Sequence, residues 1–109
     1  MTLLRRTEEL ILLAVLQLHE NAYGVTIRRH LMEITGEHFS FASVYVPLDR
    51  LAERGYVTAI DGPPTKERGG RRRRFYRVTQ AGLTALTEME RVRSALRQGV
   101  PQLAFGYPL

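Results

Sequence analysis

ERGGRRRRFYRVT, residues 67–79, decides how the rest of the chain is read. Four consecutive arginines follow a glycine pair, and Phe75, Tyr76, Arg77 and Val78 follow them. As a solvated tract this stretch would adhere to any polyanion. As a β-strand it would aim its arginines, because a strand alternates side chains between two faces with a period of two. Arg72, Arg74, Tyr76 and Val78 then share one face, and Arg71, Arg73, Phe75 and Arg77 the other. The reading is a strand over 71–78, with Val78 and one aromatic anchored in a core and the outer arginines projecting.

Upstream, residues 56–61 (YVTAID) are rich in β-prone Tyr, Val, Thr and Ile and form a partner strand. Gly62-Pro63-Pro64 and Gly69-Gly70 bracket an irregular loop between the two. The pair is a hairpin with a long basic tip. Charge singles out the same place. The 109-residue chain carries a net charge of +5. Residues 62–78 hold Lys66, Arg68, Arg71, Arg72, Arg73, Arg74 and Arg77 against the single acid Glu67, so the excess positive charge all lies there. Positive charge concentrated in one stretch points to a local polyanion contact.

Three helices precede the hairpin. Residues 7–19 read as a largely buried helix with Leu10, Leu13, Ala14 and Leu16 to Leu18 around it, Thr7 as its cap and Glu8 and Glu9 in its first turn. Residues 24–35 form a second helix with Val25, Ile27, Leu31 and Ile34 inward and Gly36 as its stop. A third covers 41–54, with Val44, Leu48 and Leu51 inward and Gly55 ending it. Ser40 and Ser43 are both candidate caps for it. With Ser40 as cap, Pro47 falls inside the helix and should kink it, so the first turn is expected to be irregular. Thr79 caps a last helix over 80–97, closed by Gly99 and Pro101.

Three helices, a hairpin and a closing helix are the order of a winged helix-turn-helix. The expected fold is mainly α with a small β-hairpin: a DNA-binding domain over 1–79, a dimerisation helix over 80–98 and a tail over 99–109. In that design the third helix enters the major groove and the hairpin lies against phosphates or the minor groove. With its core residues inward, the third helix presents Ala42, Ser43, Tyr45, Val46, Asp49 and Arg50 outward. Ser43 and Tyr45 can bond phosphates or base edges, Val46 can touch a thymine methyl, and Arg50 can reach a phosphate or guanine. Tyr45 could equally be a packing residue, and Arg50 could pair with an acid on its own or a neighbouring helix. Arg28 and Arg29 read as solvated surface. The candidate DNA-binding set is Tyr23, Ser40, Ala42, Ser43, Tyr45, Val46 and Arg50, with Lys66, Arg68, Arg71, Arg72, Arg73 and Arg74 on the wing. About four to six phosphate contacts per pair of wings would make binding steeply salt-dependent. Arginine suits this task better than lysine because its planar fork pairs with phosphate and fits a narrow minor groove.

The stretches ELILLAVLQLHENAYGVTIRRHL, SFASVYVPLDRLAERGYV and GGRRRRFYRVTQAGLTAL resemble, in order and spacing, the PadR family of bacterial transcriptional regulators over about residues 7–87. The resemblance implies a homodimeric winged-helix repressor of a palindromic operator. It implies dimerisation through the C-terminal helix with help from the N-terminal segment, where Leu3 and Leu4 lie. Ser43, Tyr45 and the wing arginines match its DNA-contacting regions. Many members have Pro where this chain has Val46, whereas here it stands at Pro47. The short C-terminal region resembles the compact members with one dimerisation helix. Some members bind small aromatic effectors, but no pocket signature identifies one here.

The residues support a dimer independently, since Ala85, Met89, Val92 and Leu96 recur as an a/d-like seam. The same stripe could pack on its own domain. Other classes find little support. There is no cysteine, hence no disulfide framework or thiolate metal site. His19, His30 and His38 share no metal-binding spacing, and no phosphate loop or nucleophile elbow occurs. The expectation is a cytoplasmic protein that is not an enzyme, needs no cofactor and associates with no membrane. Its expected partners are duplex DNA and a second copy of itself. The alternative is a winged-helix interaction module for RNA or an acidic protein.

Overall fold

The computed structural model describes residues 3–64 and 72–101, so Lys66, Arg68, Arg71 and most of the tail lie outside it. Helix α1 spans Arg6–Leu18 and runs into a 3-10 turn at His19–Asn21; α2 spans Gly24–Thr35 and α3 Phe41–Glu53. Strands β1 (Val57–Pro64) and β2 (Arg72–Val78) form an antiparallel hairpin, and α4 spans Gln80–Arg97.

The core is built where α1, α2 and α3 converge. Ile11, Leu12, Ile27, Val44, Leu48 and Leu51 lose all contact with solvent, and Val57 and Tyr76 close the core from the hairpin side. Burying one such side chain contributes about 1.5–3 kcal/mol, so these positions dominate the fold's stability. Two sequence expectations about helix faces are corrected. Leu13 and Val25 are 45% and 41% exposed, because each lies across its helix from the core residues. Ile34 shares the inward face of α2 but sits in the last turn, past the core, and is 61% exposed.

The helix ends follow local chemistry. α1 starts one residue before the expected cap. Arg5 occupies the cap position, and the buried Glu8 carboxylate reaches back to accept its backbone N–H at 2.8 Å, so Thr7 lies within the first turn. α2 stops at Gly36, which takes the left-handed conformation at φ 71°. α3 ends in a Schellman arrangement. Gly55, at φ 75°, donates to the Ala52 carbonyl, and Tyr56 N–H donates to the Leu51 carbonyl. Thr79 caps α4 by accepting from Gly82 N–H at 3.1 Å, while its hydroxyl donates to the Gly55 carbonyl at 2.6 Å. One threonine thereby joins the end of α3 to the start of the last helix.

β1 runs on through Gly62-Pro63-Pro64, a stretch expected to be loop. The ladder keeps register from Val57↔Val78 to Asp61↔Arg74 and then shifts, with Pro64 opposite Arg72. One extra residue on β1 makes a bulge there, the kind of place in a strand where prolines are tolerated. A further contact was not legible in advance. Tyr23 bridges Phe75, and Tyr76 N–H donates to the Ala22 carbonyl at 2.8 Å. The segment before α2 thus pairs with the outer edge of β2 and fixes the wing's angle to the helices.

Leu4 is buried in its own core at 5% exposure, which corrects its assignment to a dimer surface; Leu3 is half exposed. Along α4, Ala85 and Met89 pack against the same core, whereas Leu96 is 73% exposed.

Candidate nucleic-acid interface

Ser40 is the cap of α3. Its hydroxyl accepts from Ser43 N–H at 3.1 Å, and the Ser43 hydroxyl donates back to the Ser40 carbonyl at 2.7 Å. Pro47 therefore lies inside the helix, buried, with no N–H to offer the Ser43 carbonyl. The helix is assigned without interruption from Phe41 to Glu53, so the expected irregular first turn is not found. Phe41, Ala42, Tyr45 and Val46 occupy the outward face of its first turns, with Phe41 and Val46 55% and 50% exposed.

A line of aromatic contacts joins this face to the wing. Arg28 holds one end: its Nε donates to the Phe39 carbonyl at 2.6 Å, and its guanidinium lies 4.5 Å above the Phe41 ring. It is therefore a strut of the turn between α2 and α3 rather than a solvated surface residue. Phe41 stacks on Tyr45, with ring centroids 6.2 Å apart and planes at 22°. The hydroxyl end of Tyr45 covers Gly24, the first residue of α2, at a spot that any Cβ would occupy. Next to it, Tyr23 meets Phe75 edge to face at 5.3 Å, and Arg73 lies 4.8 Å over the Tyr23 ring. Tyr23, Tyr45 and Arg73 are brought onto one surface by this chain of contacts. Cation–π pairs at exposed sites are worth about 0.5–1 kcal/mol, enough to bias where Arg73 points while leaving its donors available.

Arg74 lies 3.8 Å from Asp61 across the hairpin with both side chains mostly exposed, a pair that water screens. Beside it, Tyr76 is 6% exposed, and burial pushes its phenol above the usual 10.0, against the opposing effect of the Arg74 guanidinium. Tyr76 is thus the aromatic that anchors the strand, with Val78 half-buried beneath it.

Arg50 is not brought to this surface. Its Nε is buried and faces Glu8 Oε2 of α1 at 3.9 Å, while Arg54 Nη1 lies 3.4 Å from Glu8 Oε1. Glu8 is fully buried, so its charge draws both arginines of α3 toward α1. Glu9 does the same for α4, receiving Arg93 at 2.5 Å. Of the two roles open to Arg50, the ion pair with an acid of a neighbouring helix is the one the structure shows, because its guanidinium reaches sideways to α1. The signal that could have found the pair is two acids in the first turn of a helix otherwise apolar at its neighbouring positions.

No group of His, Asp and Glu among the described residues could hold a metal, and no described helix is long and apolar enough to cross a membrane. Along α4, Met89, Val92, Arg93, Leu96 and Arg97 line, with Val100 just beyond the helix, an open groove of about 350 Å³.

A three-helix unit with a cross-braced basic hairpin against its third helix is a winged helix. A family model of the transcriptional regulator PadR-like family matches residues 12–88, more than two thirds of the chain, and the protein belongs to that family. It is a regulator of transcription, not an enzyme. A PadR family transcriptional regulator from Eggerthella lenta is similar at 29% identity, over 87% of this chain and 80% of that one, with a TM-score of 0.67. A transcriptional regulator from Thermoplasma acidophilum has the same fold with a TM-score of 0.69 at 22% identity, over 94% and 91% of the two chains. No curated protein matches the sequence significantly.

Proposed function

We propose that the protein is a homodimeric repressor that binds a two-fold symmetric operator, with α3 in the major groove and the wing arginines on the flanking backbone or minor groove. The observation that carries the reading is the shared surface of Tyr45, Tyr23 and Arg73, on which the recognition helix and the wing are braced together. Regulators of this family bind DNA, and duplex DNA is the polyanion whose groove accepts a helix beside a basic strand. The concentration of arginine on the wing supports phosphate contact, since each neutralised phosphate releases condensed counterions.

Dimerisation rests on α4. Its stripe leaves the domain's own core after Met89, and Val92 and Leu96 continue it along the groove. A symmetric pairing of this stripe would bury it and set two recognition helices one operator half-site apart. The test is selection of bound duplexes from a random pool at about physiological salt, followed by sequencing. Enrichment of an inverted repeat is expected; enrichment of a single asymmetric site, or of none, contradicts the reading.

A further inference from the structure

The geometry points to thymine methyl groups as what α3 reads. The inference rests on the reading above, that α3 enters the major groove, and adds the chemistry of discrimination there.

Base edges in the major groove offer hydrogen-bond donors, hydrogen-bond acceptors and one apolar group, the C5 methyl of thymine. The commonest polar contact is an arginine or lysine on guanine. α3 contains no lysine, and the two arginines at its C-terminal end, Arg50 and Arg54, lie against the buried Glu8 carboxylate. The Ser43 hydroxyl gives its proton to the Ser40 carbonyl, and the Tyr45 hydroxyl end is turned onto Gly24 of α2. What remains on the outward face of the first turns is apolar: Phe41, Ala42 and Val46, with the Tyr45 ring beside them and the exposed Asp49 carboxylate, an acceptor that phosphates repel, one turn further on. Ala42 and Val46 are one turn apart and lie directly across the helix from Val44, Leu48 and Leu51, at the centre of the face that meets the groove floor. Apolar side chains gathered on one exposed helix face are suited to an apolar contact with a partner. With Arg73 held over Tyr23 beside it, this patch fits a partner that is anionic at its edge and carries methyl groups next to it, which describes a thymine-bearing groove.

The experiment uses the full-length protein and the duplex obtained by selection. Each thymine of a half-site is replaced in turn by uracil, which deletes the methyl and keeps every hydrogen bond. Burial of one methyl is expected to be worth about fourfold in affinity. One or two thymines per half-site should therefore show a loss of about that size. At the same positions, cytosine should bind more weakly than 5-methylcytosine, which restores the methyl. Val46→Ala, at a half-exposed position, should keep its melting temperature and lose the thymine–uracil difference at one position. Uniform binding to all uracil-substituted duplexes, with specific binding retained, overturns the inference and leaves the regulator reading intact. Failure to select any preferred duplex overturns both.

Discussion

The hydroxyl end of Tyr45 on α3 occupies the space that a Cβ on residue 24 of α2 would need. Helix α3 therefore touches the start of its neighbour through a glycine, and the orientation of Tyr45 depends on the absence of a side chain there. Gly24→Ala should swing Tyr45 outward, since the phenol is the far end of a movable side chain. The gain in helix propensity offsets part of the strain, so stability should change by no more than about 1 kcal/mol. Discrimination between operator and random duplex should fall. Gly82→Ala is the contrast. Its Cβ would meet the immovable Tyr56 carbonyl and Val78, and it should cost about 1–3 kcal/mol in urea denaturation.

Glu8→Gln separates stability from binding. The amide can still accept the Arg5 N–H but no longer attracts Arg50 and Arg54, so the fold should lose about 1–3 kcal/mol, discounted for the partial exposure of both arginines. The released guanidinium groups should raise affinity for random duplex while the melting temperature falls. A variant that loses stability and gains no non-specific affinity would contradict the place given to Arg50.

Tyr76 supplies a pH test. Its phenol is raised above the ordinary 10.0 by burial, so the unfolded chain ionises first as pH rises. The neutral phenol's contribution is fully present below pH 10 and is lost as pH climbs from there through the folded-state value. Tyr76→Phe should remove this component, leaving a shallower alkaline decline in melting temperature than wild type.

Much of this architecture was legible in the chain. The helix over 24–35, the αL stop at Gly36, the Thr79 cap and the alternation of Tyr76 and Val78 followed from local rules that depend on few neighbours. What was not legible depended on contacts across long stretches of sequence. Two serines three residues apart competed for one cap, and Pro47 did not decide between them, because a buried proline is tolerated when the helix packs well around it. Glu8 reads as a first-turn acid that favours the helix dipole, and only the approach of α3 turns it into the partner of two arginines. The pairing of Ala22 and Tyr23 with β2 joins residues too few and too polar to resemble a strand.

Leu96→Arg offers a cleaner test of the α4 seam than Met89→Arg. Met89 also packs on its own core, whereas Leu96 is 73% exposed and its replacement should leave the monomer's melting behaviour intact. Light scattering should report monomers for Leu96→Arg and dimers for wild type. Dimers of unchanged affinity would remove α4's outer half from the interface.

The central claim, that wing and recognition helix act together on duplex DNA, is tested most directly by titrating labelled operator with wild type and with Arg73→Ala/Arg74→Ala across a range of salt. Wild type should bind with two protomers per inverted repeat and a steep loss of affinity as salt rises. The double variant should lose similar factors on operator and random duplex, and its log–log salt slope should be shallower by about two per wing. An unchanged slope and affinity would mean that these arginines do not meet phosphate, and that the braced surface serves some other partner.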